Sequence, residues 1–181
     1  MEDSPTGDKS REVAVVEDQL AQKEAQTQFA LPTRSKVFIC YSHKDKKEYD
    51  QLEKNLKVLE RDLSVDIWSD KKIVPGKLWK EEIEKALATA KVGVLLVSID
   101  FLASDFITQY ELPDLLAAAE TNNVTILVFL VGSCLYKESK LALFQAVGNP
   151  SKPLRSIPGR DAKDQALVEL ARAIIVAAKK A

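Results

Sequence analysis

Short apolar runs of strand length alternate along this chain with longer stretches in which apolar residues recur every three or four positions. This alternation is the strongest constraint on the fold, because a strand that is apolar on both faces must be covered by helices on both sides. Residues 37–41 (VFICY), 92–97 (VGVLLV) and 124–131 (VTILVFLV) are such runs, and residues 65–68 (VDIW) predict a shorter strand. The pattern predicts an α/β fold, a flavodoxin-like doubly wound parallel sheet of four to five strands with helices on both faces.

Helical stripes of apolar residues fill the intervals between these runs. The stripes comprise Tyr49, Leu52, Leu56, Leu59 and Leu63; Trp79, Ile83, Ala86, Leu87 and Ala90; Leu112, Leu115, Leu116 and Ala119; and Leu167, Leu170, Ala171, Ile174, Ile175 and Ala178. Residues 132–160 hold irregularly spaced glycines and prolines, which leaves room for a short edge strand near residues 154–157. In such sheets ligands bind beyond the carboxyl ends of the strands, so the segments to search are 42–45, 69–79, 98–111 and 132–160.

The composition disfavours several classes of protein. The 181 residues carry 26 basic and 27 acidic side chains, so the chain lacks the basic excess of proteins that bind nucleic acid or an anionic membrane directly. No apolar run approaches the length of a membrane span, and the polar N-terminus does not resemble a secretory signal. Cys40, Cys134 and His43 are the whole complement of cysteine and histidine, which argues against a metal site. We expect a soluble, cytoplasmic protein without a metal.

The first 35 residues differ from the remainder. They hold seven acidic and four basic side chains, and residues 1–10 are rich in Asp, Ser, Pro and Gly, as disordered segments are. Residues 11–29 carry a weak helical stripe, which predicts either a linker or a connector helix that docks on a partner or a second copy. The predicted organisation is therefore a leader at residues 1–35 and a single domain at residues 36–181.

One carboxylate has an unusual setting. Glu111 lies in the segment SDFITQYELPDLL, at the start of the third predicted helix and between apolar neighbours. It is either a solvated first-turn residue that interacts with the helix dipole, or a cleft residue that holds sugar hydroxyls and offsets positive charge at a glycosidic carbon. The turn after the first strand reads Ser-His-Lys-Asp, which matches neither a Walker loop nor a dinucleotide-binding fingerprint.

Three segments in this order resemble the TIR (Toll/interleukin-1 receptor) domain, specifically its bacterial branch. They are FICYSHKDKKEYDQL from residue 38, IWSDKKIVPGKLWKEEIEKAL from residue 67 and VLLVSIDFLASDFITQYEL from residue 94. Many TIR domains of this branch cleave NAD+ at the nicotinamide–ribose bond and release nicotinamide with ADP-ribose or a cyclic isomer. The resemblance therefore implies an NAD+ glycohydrolase for which NAD+ is the substrate and no cofactor is needed.

The resemblance assigns the catalytic role to Glu111. In the family the essential glutamate opens the third helix just before a leucine, and Glu111-Leu112 matches that pattern. Its carboxylate would bind the hydroxyls of the nicotinamide-bearing ribose and stabilise an oxocarbenium-like transition state. Family members often carry an aromatic residue four positions earlier, where Ile107 stands here, and Phe106 is the candidate to take the aromatic place.

Further residues are expected at the substrate cleft. Tyr41, Ser42 and His43 follow the first strand, where the family lines its cleft, and His43 is interpreted as a polar loop residue rather than a general base. The charged run at residues 44–48 is most simply a solvated helix face, and neither cysteine is assigned a role.

Three other candidates for substrate binding each have a structural alternative. Trp68 either walls the nicotinamide pocket or packs in the core. Asp70 either contacts substrate or is an exposed turn residue. Trp79 either lines the site or packs within the apolar stripe of its helix.

The loop after the second strand matches the family's loop for contacts between TIR domains. Family knowledge implies head-to-tail assembly, which extends into filaments where the contacts do not close. We expect an assembly-dependent enzyme, with a separate sensor or activator protein. The predicted assembly loop comprises Lys71, Lys72, Ile73, Val74, Pro75 and Gly76.

Two rival functions remain open at this point. The first is a TIR adaptor that recruits other TIR domains without turnover, which Glu111 disfavours and Ile107 mildly favours. The second is a different nucleotide-processing enzyme on a similar sheet, such as a nucleoside deoxyribosyltransferase. The biological setting implied by the resemblance is bacterial immunity by NAD+ depletion or nucleotide signalling.

Overall fold

The structure is a computed structural model. It describes residues 36–63, 65–72, 78–105, 107–122 and 124–179. The predicted leader and connector at residues 1–35 lie outside the described residues. None of the helices within the described ranges combines the length and the apolar character that a membrane crossing requires.

Strands and helices alternate as the apolar pattern predicts. The strands are β1 Lys36–Tyr41, β2 Asp66–Trp68, β3 Ala90–Val97 and β4 Thr125–Leu130. The α-helices are α1 Lys46–Leu63, α2 Trp79–Ala88, α3 Ile99–Leu102, α4 Leu112–Asn122 and α5 Arg160–Lys179. A π-helical turn, Ile107–Glu111, leads into α4. Short 3₁₀ turns lie at His43–Asp45, Asp70–Lys72, Tyr136–Glu138, Lys140–Leu143 and Leu154–Ser156.

The sheet is parallel throughout, in the order β2-β1-β3-β4. From β1 the chain moves outward to β2 and then crosses back over β1 to β3. The strand order therefore reverses between β1 and β3, which is the switch point of a flavodoxin-like doubly wound sheet. The predicted fold class is confirmed, with four strands in the described part of the chain and the most apolar strand, β3, in the interior.

Two details of the sequence prediction are wrong. The edge strand near residues 154–157 is a 3₁₀ turn instead, because Ser156 N bonds back to Pro153 O at 2.8 Å rather than to a neighbouring strand. Ala90, which fits the spacing of a helical stripe, begins β3.

Successive residues of β1 enter two separate cores. Val37, Ile39 and Tyr41 pack in the core that α1 and α5 cover. Phe38 and Cys40 pack in the core that α2 and α4 cover. This two-residue alternation matters for function, because it directs Cys40 and Tyr41 to opposite faces at the carboxyl end of the strand.

Candidate active site

A cleft of about 720 Å³ opens at the switch point, beside the carboxyl ends of β1 and β3. Its volume lies within the range of sites that hold small organic ligands. Five of the residues singled out from the sequence meet in its walls, namely Tyr41, Ser42, His43, Asp70 and Glu111. The remaining lining residues are Lys44, Ile83, Asp100, Ala103, Ser104 and Ile107. All of these except Ile83 lie in the segments that the sequence marks for the search, but none of them was assigned to substrate binding.

Glu111 is the most deeply buried carboxylate in the wall of this cleft, with 5% of its surface exposed. The thiol of Cys40 donates a hydrogen bond to its Oε2 atom, with Sγ and Oε2 2.6 Å apart. No lysine or arginine of the described residues forms an ion pair with Glu111. The alternative of a solvated first-turn residue is therefore wrong, because the Glu111 carboxylate is buried and forms no ion pair with a lysine or arginine of the described residues.

The burial of Glu111 raises the pKa of its carboxyl group to about 7. The hydrogen bond from Cys40 works in the opposite direction, because it favours the ionised form. The negative charge of Asp70 raises the pKa further, and the nearby His43 lowers it. The result is a carboxyl group that exchanges its proton near neutral pH, as acid–base groups in active sites commonly do.

The π-helical turn explains how Glu111 comes to face the cleft. Pro113, in the first turn of α4, has no N–H to donate to the carbonyl four residues earlier, so a regular α-helix cannot run unbroken through this point. The wider turn Ile107–Glu111 buries its first and last residues against the sheet. Gly93 of β3 lets α4 lie close by, since a Cβ there would meet Leu115 Cδ2 at 2.6 Å. Turns of this kind are frequent at functional sites.

Polar pairs border the cleft on two sides. His43 and Asp70 are hydrogen-bonded to each other through Nε2 and Oδ2. The other oxygen of Asp70, Oδ1, is buried and has no hydrogen-bond partner among the described residues. Lys44 and Asp100 form an ion pair at 3.1 Å. The cleft therefore presents both signs of charge beside the buried carboxylate.

Tyr41 lies with its ring stacked on that of Tyr49, at a centroid distance of 4.3 Å. Burial raises the pKa of the Tyr41 hydroxyl well above its usual value, and the negative charge of Asp70 raises it further. Tyr41 therefore remains a neutral phenol that lines the cleft.

Of the other three aromatic residues predicted to bind substrate, the structure describes the side-chain position of Trp68 alone. Trp68 stacks on Phe38 at 5.1 Å between ring centroids and belongs to the core, so the packing alternative is the one observed. Trp79 begins α2, but the position of its ring lies outside what the structure describes. Phe106 also lies outside the described residues, and its proposed aromatic role stays a prediction.

The predicted assembly loop is described only at its first two residues. Lys71 bonds to the Asp50 carboxylate and lies 4.2 Å from the centroid of the Tyr49 ring. Lys72 bonds to Glu60 at 3.1 Å. Both lysines are thus held against α1, while residues 73–76 lie outside the described residues.

A second polar cluster, which we call the Arg155 cluster, lies beside the cleft. It comprises the buried side chains of Asp45, Glu48 and Ser98 and the more exposed side chain of Arg155. Asp45 Oδ1 accepts from Arg155 at 2.7 Å and its Oδ2 accepts from Ser98 at 2.6 Å. Glu48 accepts two hydrogen bonds from Arg155, each at 2.9 Å. Burial alone would raise the pKa of Glu48, but the hydrogen bonds and the charge of Arg155 lower it overall.

The Arg155 cluster corrects the interpretation of residues 44–48 as a solvated helix face. Asp45 is fully buried and Glu48 is 8% exposed. A signal for this was present, because these two residues fall on the same three-and-four spacing as Tyr49 and Leu52. Their cation was not predictable, since Arg155 is more than a hundred residues away in the sequence.

The described residues contain no cluster of three or more His, Cys, Asp or Glu side chains that could hold a metal ion. The side chains that line the cleft supply carboxylates, an imidazole, an ammonium group, a phenol and hydroxyls. A buried carboxylate that is not neutralised by a cation is suited to interact with a ligand that carries or develops positive charge.

Comparison with known proteins gives the same family as the motifs. The sequence model described as the TIR domain matches residues 37–170. The uncharacterized protein y4lF of Sinorhizobium fredii is 30% identical over 142 residues. That alignment takes in 78% of this chain and 43% of the relative, so the chain spans less than half of the relative's length.

A solved structure is also similar, the TIR domain of the Toll-related receptor TRR-2 from Hydra magnipapillata. It shares 17% sequence identity and has a TM-score of 0.43, over 57% of this chain and 78% of the other. Because the match to the TIR domain extends over most of the sequence, from residue 37 to residue 170, the chain belongs to the TIR domain family.

Proposed function

We propose that this protein is an NAD+ glycohydrolase in which Glu111 is the catalytic carboxylate. The observation that carries the proposal is a glutamate that is 5% exposed, lines a cleft of about 720 Å³ and has no cation partner among the described residues. Membership of the TIR domain family supports it, since many bacterial TIR domains cleave NAD+.

The reaction breaks the bond between the anomeric carbon of the ribose and the nicotinamide nitrogen. The bonding electrons go to nicotinamide, which leaves as a neutral molecule, and positive charge develops on the ribose. Water then adds to the anomeric carbon and releases a proton, which gives ADP-ribose; attack by a nitrogen of the adenine ring instead would give a cyclic isomer. Because nicotinamide leaves readily, the step needs electrostatic stabilisation of the cation more than it needs an acid.

Glu111 supplies that stabilisation in its ionised form. Its carboxylate accepts hydrogen bonds from the ribose hydroxyls and is buried from solvent, so its attraction for the developing cation is stronger than in water. With its pKa raised to about 7, the group is partly ionised at neutral pH, and the positive charge of NAD+ favours the ionised form.

Neighbouring groups assist in binding. Asp70 lines the same cleft, and we propose that its carboxylate accepts a hydrogen bond from a substrate hydroxyl. His43 and Lys44 line the same cleft and offset the charge of the diphosphate. Tyr41 and Ser42 complete the wall on the side of β1.

TIR domains interact with other TIR domains, and we propose that such assembly activates this one. The loop at residues 71–76 would abut the cleft of a neighbouring copy, in a head-to-tail contact that extends into filaments. The biological role would then be bacterial immune signalling that a separate sensor protein switches on.

The test is NAD+ consumption, with products separated by chromatography, at low and high protein concentration. Glu111→Gln should reduce turnover by at least about a hundredfold, the usual cost of removing a main electrostatic contact of the transition state. Asp114→Asn is the matched control, because it removes an exposed carboxylate three residues further along the chain, in the first turn of α4. Turnover that rises more than linearly with concentration would support activation by assembly.

The second candidate is a non-catalytic adaptor, which the apolar Ile107 favours at the place where many catalytic relatives have an aromatic residue. Absence of turnover by the wild-type protein at every concentration, with and without a crowding agent, would favour either the adaptor or an enzyme whose activator is missing. Full activity of Glu111→Gln would contradict the assigned mechanism.

A further inference from the structure

We propose that Cys40 is the positioning residue of Glu111, and that its thiol holds the carboxylate in place and favours its ionised form. Cys40 acts through Glu111 and is not itself a nucleophile. The inference rests on the proposed function for its catalytic meaning, but the contact between the two side chains stands on its own.

The geometry of β1 brings the thiol beneath the carboxylate. Cys40 is 1% exposed and points into the core that α2 and α4 cover, while Tyr41 points to the other face. The π-helical turn ends at Glu111 above that same core, and Cys40 Sγ lies 2.6 Å from Oε2. The contact joins residues 71 positions apart, so it ties the turn to the central sheet.

The thiol acts as the donor in this contact. Burial raises the pKa of Cys40 well above its usual value, and the negative charge of Glu111 raises it further. The sulfur therefore keeps its proton at neutral pH, and a carboxylate oxygen is the acceptor. Its burial also excludes attack on a ligand in the cleft, because the thiol is neither ionised nor exposed.

The other charged groups around Glu111 do not replace this donor. Asp70 carries a like charge and opposes ionisation, while His43 favours it but is mostly exposed and bonded to Asp70. Lys44, at the rim of the cleft, is paired with Asp100. Among the described residues, the hydrogen-bond donor to the Glu111 carboxylate is therefore the thiol of Cys40.

The test is the pKa of the Glu111 carboxyl group, measured by carbon-13 NMR titration and assigned by the loss of its signal in Glu111→Gln. Cys40→Ala removes the donor and should raise this pKa by about 0.5–1 unit, the worth of an ordinary hydrogen bond. Cys40→Ser restores a donor and should return the pKa towards the wild-type value. Cys134→Ala is the matched control, since it removes the other cysteine, which lies in the loop after β4, and should leave the pKa unchanged.

The same variants have a kinetic readout. In Cys40→Ala the acidic limb of kcat/KM for NAD+ should move to higher pH by the same amount, and Cys40→Ser should restore it. If Cys40→Ala does not fold, Cys40→Val is the variant to use instead, because valine fills the space of the thiol but has no hydrogen-bond donor. A pKa of Glu111 that is the same in the wild type and in Cys40→Ala or Cys40→Val would overturn the proposal.

The titration separates this inference from the proposed function. It needs no turnover, so a protein that fails to cleave NAD+ but shows the shift would retain the Cys40–Glu111 pair and lose only the assigned reaction. A protein that cleaves NAD+ without the shift would retain the reaction and lose the role of Cys40.

Discussion

Glu48 and Glu111 are both buried glutamates near the carboxyl ends of the strands, yet their pKa values are shifted in opposite directions. Glu48 is 8% exposed and Glu111 is 5% exposed, and the carboxyl group of Glu111 lies deeper among the protein atoms. Glu48 accepts two hydrogen bonds from Arg155, which lower its pKa overall. Glu111 has a neutral thiol as its partner, and burial raises its pKa to about 7.

The difference shows that the arginine partner outweighs the effect of burial at Glu48, whereas burial prevails at Glu111. Arg155 favours the ionised form of Glu48, forms an ion pair with Asp45, and links the segment after β4 to the start of α1. Glu111 has no such partner in the described residues, so its charge is available to a ligand. Perturbed carboxylates in clefts are functional candidates for this reason.

Removal of Arg155 should have the largest effect on stability. Arg155→Met leaves Asp45 and Glu48 buried without a cation, which should lower the free energy of unfolding by about 3 kcal/mol, near the lower end for a broken buried pair because Arg155 is 39% exposed. Urea unfolding at pH 7 measures this loss in the free energy of unfolding. Arg160→Met is the control, because Arg160 is 88% exposed.

The pH dependence of the same experiment sharpens the comparison. The folded-state pKa of Glu48 is lowered, so its contribution is present above the unfolded value of 4.5 and is lost as pH falls through the folded value. The difference between wild type and Arg155→Met should therefore shrink in acid. A difference that stayed constant would contradict the assigned ion pairs.

Replacement of Glu111 should act on stability in the opposite sense. Because its folded-state pKa is raised from 4.5 to about 7, the wild type loses stability as pH rises through that window. Glu111→Gln removes this loss and should be more stable than the wild type by about 2 kcal/mol at pH 8, after allowance for its imperfectly bonded amide. Equal urea midpoints at pH 8 would contradict the raised pKa.

From the sequence alone, Glu111 could lie at an exposed edge of the cleft, and its replacement would then change the stability of the protein little. Glu111 is instead 5% exposed, so its ionisation is coupled to folding.

Ser98 should have the smallest of these effects. Its hydroxyl donates to Asp45 and accepts from Phe101 N at 3.0 Å, as the N-cap of α3. Ser98→Ala should lower the free energy of unfolding by about 1–2 kcal/mol, the usual cost of a lost cap or buried hydrogen bond. Ser133→Ala, at an exposed position after β4, is the control for thermal unfolding. Equal losses in both variants would argue against a buried network at Ser98.

The fold was largely predictable because its signals are local. The apolar runs of β1, β3 and β4 each predict a buried strand, and the helical stripes of apolar residues between them predict helices. The doubly wound arrangement followed from the general rules for parallel sheets. The segment at residues 154–157 escaped prediction, because a few apolar residues among prolines fit a 3₁₀ turn as well as an edge strand.

The site was predictable only in part, because its contacts join distant segments. Glu111, Tyr41 and Asp70 were accessible from motifs and from the rule that clefts lie beyond the strands. The contact from Cys40 to Glu111 was not, since a cysteine inside an apolar strand looks like any other core residue. The ion pairs of Arg155 were not predictable either, because no local sequence pattern indicates which buried carboxylate a distant arginine will contact.

The most direct test of the central claim is the pH dependence of kcat/KM for NAD+ cleavage, measured for the wild type, Glu111→Gln and Asp114→Asn. The account predicts that wild-type activity rises with pH through an apparent pKa near 7, since kcat/KM reports the ionisation of the unliganded enzyme. Asp114→Asn should keep this limb, and any residual activity of Glu111→Gln should lack it. A limb near pH 4.5, or an unchanged profile in Glu111→Gln, would contradict the claim that this buried carboxylate carries the chemistry.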